Sequence, residues 1–182
     1  MIYKFDIMFS KVLKGGGVKV ITYRQLLSDP RAFGEGESLD GAVGTLSLND
    51  NGIEKGYSIS TLFVKYRSEL VGYHKAELFG KEFPLRFVFG KDDVHSLRAE
   101  IKDENGILYS SDVQTLPVNG TTTLPLKNVD SFVAIVPKGN GCAVADDDGG
   151  VDLHAGELAL VPASDDAATL SGHVDVITIK CI

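Results

Sequence analysis

From Ser131 to the C-terminus the chain is a succession of short apolar runs cut by turn residues, and that rhythm leaves few folds open. Ser131-Phe-Val-Ala-Ile-Val-Pro137 is followed by Gly139-Asn-Gly141, an Asp-Gly turn, and Gly156-Glu-Leu-Ala-Leu-Val-Pro-Ala-Ser164. Strands are predicted at 107–110, 113–118, 121–126, 131–137, 141–146, 151–154, 157–162, 167–171 and 174–181. Turn signals every eight to twelve residues point to an antiparallel sandwich or barrel. Leu97-Arg-Ala-Glu-Ile-Lys102 alternates cleanly, with Leu97, Ala99 and Ile101 on one side and Arg98, Glu100 and Lys102 on the other, before an Asn-Gly hairpin turn at Asp103–Gly106.

The N-terminal half departs from this rhythm once. Ile59, Leu62, Phe63, Tyr66, Leu70 and Val71 fall on one helical face, Ser58 is a suitable N-cap, and Gly72 closes the segment. A shorter helical turn is predicted at 74–79. Before the helix come a turn at Gly15–Gly17, a strand at 18–23, a loop at 34–41 and a strand at 43–48. After it comes the apolar run from Phe83 to Phe89. The expected fold is mostly β, with one or two short helices in the N-terminal half. The expected organisation is one domain over 1–182, in which 1–90 packs on a main sandwich formed by 91–182.

Charge and composition exclude several classes. Eighteen Lys and Arg against 25 acids give a net charge of −7 with no dense basic cluster, which disfavours nucleic acid, since displacing counterions needs clustered cations. No window approaches the roughly 18 apolar residues of a membrane-spanning helix. Cys142 and Cys181 are too few for a disulfide framework and read as small buried hydrophobes, which points to a reducing, cytoplasmic setting.

Two blocks resemble the bacterial mannose-6-phosphate isomerases of the cupin superfamily. One comprises Asn51-Gly52-Ile-Glu-Lys-Gly56-Tyr-Ser-Ile-Ser-Thr-Leu62, Glu69-Leu-Val-Gly72, Leu78-Phe-Gly-Lys-Glu-Phe-Pro-Leu85 and Lys91-Asp-Asp93. The other runs from Ser131-Phe132 through Gly139–Gly141, Gly156-Glu157 and Val161–Ala163 to Leu170–Gly172. The resemblance implies a cupin-like jelly roll, shorter than the family's chains. It also implies a Gln-x-His pair of metal ligands on the strand after Lys91–Asp93, because residues i and i+2 share a face. Those slots fall on Arg98 and Glu100 or on Glu100 and Lys102. An ammonium or guanidinium has no lone pair to give a cation. Zinc is therefore expected only where the family site is intact. Without it the Lewis acid that polarises the open-chain sugar is missing.

Arg98, Glu100, Lys102 and His95 are the candidate site residues. Two readings of the charged strand face stand: a surface that holds a sugar or sugar phosphate through Arg98, or a solvated face with weak cross-strand ion pairs. His95 follows Asp92 and Asp93, which suits either a tuned base or a polar turn. Asp146-Asp-Asp148 with Asp152 lacks calcium-loop spacing and reads as a hairpin, and Gly15–Gly17 reads as a turn. The functional expectation is a metal-free, non-catalytic module binding a sugar or sugar phosphate. The alternatives are an isomerase or epimerase rebuilt on Glu100 and His95, and a structural protomer that forms a homodimer through strand edges.

Overall fold

The computed structural model describes residues 1–48, 58–109, 111–126 and 131–181, except the side chains of Ser47, Leu48 and Cys181. The Asn51–Tyr57 part of the resemblance and the burial of Cys181 lie outside the described residues. The fold is mostly antiparallel β with short helices, compatible with the expected cupin-like sandwich.

The sheet is organised around β1 (Tyr3–Val12), a strand absent from the sequence expectation. Its period-two pattern buries Phe5, Ile7 and Phe9 completely and leaves Lys4, Asp6, Met8 and Ser10 on the other face. The hairpin partner β2 (Val18–Thr22) leads into α1 (Tyr23–Ser28), also unexpected. Thr22 and Gln25 form a capping box there, the Thr22 hydroxyl accepting from the Gln25 N–H while Gln25 Oε1 accepts from the Thr22 N–H. β3 (Val43–Leu48) pairs along the other edge of β1.

Ser58 caps α2 (Ile59–Lys65) as expected, its hydroxyl accepting from the Thr61 N–H. The single helix predicted from Ser58 to Val71 is broken at Tyr66 (φ −125°, ψ 40°), where α3 (Arg67–Val71) begins, and α4 (Tyr73–Leu78) follows Gly72. Among the described residues the N-terminal half therefore holds four short helices rather than one or two. Arg67 explains the break: its guanidinium donates to the carbonyls of Ala76, Phe79 and Gly80 and lies 4.3 Å from the centre of the Phe63 ring. Arg67→Ala leaves three carbonyls short of a charged donor and is expected to cost roughly 2–3 kcal/mol, lowering Tm by about 5–10 °C in thermal unfolding followed by circular dichroism.

Beyond the helices, β4 (Leu85–Phe89), β5 (Leu97–Lys102) and β6 (Leu108–Tyr109) continue the sheet, with the predicted turn at Asp103–Gly106. β7 (Ser111–Pro125), β8 (Val133–Pro137), β9 (Cys142–Asp146), β10 (Gly149–Leu153), β11 (Glu157–Val161) and β12 (Ala167–Cys181) complete it, in the order β10-β9-β12-β8-β11-β1-β3-β4-β5-β6. β2 and β7 lie beside β1 and β12. The N-terminal strands belong to the same sheet, with β1 bonded to β11.

β8 and β11 are buried on both faces and serve two cores. Phe132, Ala134, Val136, Leu158 and Leu160 join Phe5, Ile7, Phe9 and the helices, whereas Val133, Ile135, Ala159 and Val161 meet residues from β7, β9, β10 and β12. The second core closes because the 15-residue β7–β12 ribbon bends. β12 pairs with β9 over Thr169–Gly172 and with β8 over Val176–Lys180. The strand breaks predicted around 119–120 and 172–173 are thus bends in continuous strands, with Gly120 and Gly172 directly opposite each other. The outer edge of β7 carries Pro117 and Pro125, which remove donors and weigh against pairing of two copies there.

Candidate functional site

β3 meets β4 at one ladder pair, Gly44↔Phe87. Beyond it, between residues 45–46 and 82–86, lies a cleft of about 330 Å³. Leu46, Ile59, Phe83 and Leu85 line its apolar part, and Thr45, Ser60, Glu82 and Arg86 bring polar groups to it. The Arg86 side chain is partly exposed and only loosely paired, its Nη2 lying 3.8 Å from Glu82 Oε2. A concave site that combines apolar side chains with convergent polar groups is a usual form of ligand site, and this cleft has both.

The charged face of β5 adjoins this cleft. Ile101 is buried and Leu97 and Ala99 pack on the first core, so Arg98, Glu100 and Lys102 take the opposite face. Glu100 stands opposite Arg86, and Arg98 opposite Val88. Arg98 is exposed, whereas Glu100 and Lys102 are half-buried. Glu100 flanked by two cations does not fit a divalent metal, because two of the three groups repel it and have no lone pair to donate. Among the described residues, no group of three His, Cys, Asp or Glu side chains is placed to hold one.

His95 is not brought to this place. It is exposed in the β4–β5 turn, where its N–H donates to Asp93 Oδ1 at 2.9 Å and Asp93 Oδ2 accepts from the Ser96 hydroxyl. Lys91 and Asp92 hold φ of 53° and 58°, and Asp92 accepts from the Leu39 N–H. Three strand steps separate Leu97 from Glu100, about 10 Å at ~3.3 Å per residue, and His95 lies beyond Leu97.

Two further ionic clusters escape a reading by motif. Glu157, on β11, is buried and gathers Lys4, Arg24 and His154; burial pushes its carboxyl up, but the hydrogen bonds from His154 and the nearby Lys4 outweigh this and hold it below the usual carboxylate range. Its cross-strand neighbour Asp6 is raised, first by burial and then by Glu157. The expected β9–β10 hairpin forms, with Asp146 Oδ1 accepting from the Asp148 and Gly149 N–H groups. Asp146 also faces Asp165, with the Met1 ammonium 2.8 Å from Asp146 and 3.6 Å from Asp165.

Burial and the facing Asp146 push Asp165 up to about 6 from an ordinary 3.8. Between those values the folded protein binds the proton and the unfolded chain does not. The stability from that proton is fully present below the unfolded pKa and is lost as pH rises through the folded one. Asp165→Asn should therefore raise stability by on the order of 2 kcal/mol above pH ~7 and leave it nearly unchanged below pH ~4, as read from urea unfolding midpoints.

No family model matches the chain, and no curated protein matches it. Among solved structures it is similar to a provisionally assigned mannosephosphate isomerase from Archaeoglobus fulgidus, with 15% identity and a TM-score of 0.49, covering 80% of this chain and 85% of that one. A likeness of that degree transfers neither ligand nor residue role.

Proposed function

We propose that the chain is a non-catalytic, cupin-like binding module that takes a small anionic polyol, a sugar phosphate, in the cleft between β3 and β4. The observation that carries this reading is the placement of Arg86. It lines a concave opening of mixed polar and apolar surface, with a guanidinium that an incoming oxyanion can draw from its loose contact with Glu82. A phosphoryl group offers that guanidinium two oxygens in a matching plane. The hydroxyls of Thr45 and Ser60 and the carboxylate of Glu82 suit sugar hydroxyls, and Phe83 and Leu85 suit the carbon face of a ring.

Catalysis on a rebuilt site would need Glu100 and His95 to converge on one substrate, and their separation along the β4–β5 hairpin does not favour it. The isomerase resemblance makes mannose 6-phosphate the first probe. Calorimetric titration should give saturable one-to-one binding of mannose 6-phosphate and much weaker binding of mannose, with no fructose 6-phosphate formed on prolonged incubation. Equal affinity for the two sugars would remove the role given to Arg86, and turnover would remove the non-catalytic reading.

A further inference from the structure

The cluster around Glu157 is built more tightly than a staple between neighbouring strands requires. Its carboxylate, with a side chain 2% exposed, accepts the His154 N–H at 2.7 Å and lies 2.9 Å from His154 Nδ1. Lys4 Nζ and Arg24 Nη2 each lie 3.3 Å from its other oxygen. Arg24 also reaches to 3.9 Å from Asp6. Basic side chains from β1, α1 and the β10–β11 loop thus meet on one buried carboxylate.

The backbone around them is fixed as well. Gly156 holds φ 93°, and a Cβ there would stand 2.8 Å from the Arg24 amide nitrogen, so only glycine lets α1 approach the loop this closely. The Ala155 N–H donates to Asn140 Oδ1 at 2.9 Å, and the Gly156 carbonyl accepts from the Ile7 N–H at 3.1 Å. Yet two of these side chains are largely open to solvent: that of Arg24 is 55% exposed and that of His154 59%. Glu157 engages His154 Nδ1 and one guanidinium nitrogen, so that imidazole Nε2, a donor once the ring is protonated, and the rest of the guanidinium are not taken up by it. Side chains whose inner atoms are held by a buried partner present their outer donors in a set geometry, which is how a binding site is preorganised.

We propose that Arg24 and His154, held side by side on Glu157, form a second site that binds a small oxyanion, the phosphoryl or carboxylate group of a soluble molecule. Glu157 is the positioning residue and does not touch the ligand. Lys4 supplies further positive charge, and Asp6 opposes binding. The site is separate from the cleft, because β11 and β4 are three strand spacings apart in the sheet, about 14 Å at ~4.8 Å each.

The test is a titration of the intact protein with inorganic phosphate and, separately, with acetate at constant ionic strength, followed through the backbone amide signals of Arg24, Ala155 and Gly156. Saturable shifts with phosphate alone identify a phosphoryl site, and saturable shifts with acetate a carboxylate site. In either case Arg24→Gln and His154→Gln should weaken binding about tenfold each, Asp6→Asn should strengthen it, and Arg86→Gln should leave it unchanged. Glu157→Gln should weaken it about as much while the protein stays folded; if that variant does not fold, the two surface variants decide. Absence of saturable shifts with both anions, or equal shifts in Arg24→Gln and His154→Gln, would overturn the proposal.

Discussion

Gly172→Ala is expected to cost about 4 kcal/mol or more, enough to lower Tm by roughly 8–16 °C. Gly172 holds φ 138°, where an L side chain is strained, and a Cβ would lie 2.1 Å from the carbonyl oxygen of Gly141. That oxygen belongs to backbone just ahead of β9, which pairs with β12 at this bend, so relief requires the β9 ladder to move. The bend closes the second core, and Leu170 and Val176, which flank it, are buried in that core. Gly120, directly opposite, is the internal control. Its φ is 96°, but a Cβ there would meet nothing within 4 Å, so Gly120→Ala carries backbone strain alone, about 1–2 kcal/mol. Equal losses from the two substitutions, measured by thermal unfolding, would mean that the contact with Gly141 does not hold the ribbon.

The second large effect is on binding. Arg86→Gln keeps a side chain of similar reach and removes the charge and the planar fork. It is expected to weaken mannose 6-phosphate by roughly thirtyfold, about 2 kcal/mol, while changing stability by less than ~0.5 kcal/mol because Arg86 is partly exposed and loosely paired. Glu82→Gln should act in the opposite direction. It frees the guanidinium from its competing carboxylate and lowers the repulsion felt by a phosphoryl group. Calorimetric titration of the three proteins reads the order directly: Glu82→Gln tightest, wild type between, Arg86→Gln weakest. A Glu82→Gln variant weaker than wild type would mean that the carboxylate is a needed partner of the sugar and not a competitor for Arg86.

What the sequence made legible depended on how local the cause was. The alternation of β5 matches the strand end to end, and Ser58 caps its helix, because both patterns are complete within a few residues. β1 and the capping box of α1 are equally local. The Phe5, Ile7, Phe9 alternation and the Thr22-x-x-Gln25 spacing carry the signal, and the expectation of a strand over 18–23 passes over it. Gly120 and Gly172 mislead for a physical reason: a glycine with positive φ serves a hairpin turn and a bend in a continuous ribbon alike, and only the partner strands tell them apart. The break at Tyr66 depends on carbonyls nine to thirteen residues past Arg67, beyond the reach of helical periodicity.

The site was harder to read than the fold. Arg98, Glu100 and Lys102 are visible as a charged strand face, but the cleft beside them depends on where β3 and β4 stop pairing, about forty residues apart in the chain. Arg86 stands out in the sequence only as the polar exception in an apolar run. The Glu157 cluster draws on residues near 4, 24, 154 and 157, a convergence that no single motif contains.

The most direct test of the central claim is a map of backbone amide shifts during titration with mannose 6-phosphate. The account predicts saturable shifts concentrated at Thr45, Leu46, Ser60, Leu85 and Arg86, extending to Glu100 and strongly reduced in Arg86→Gln. Saturable shifts elsewhere with this cleft silent, or no shifts at all, would contradict it.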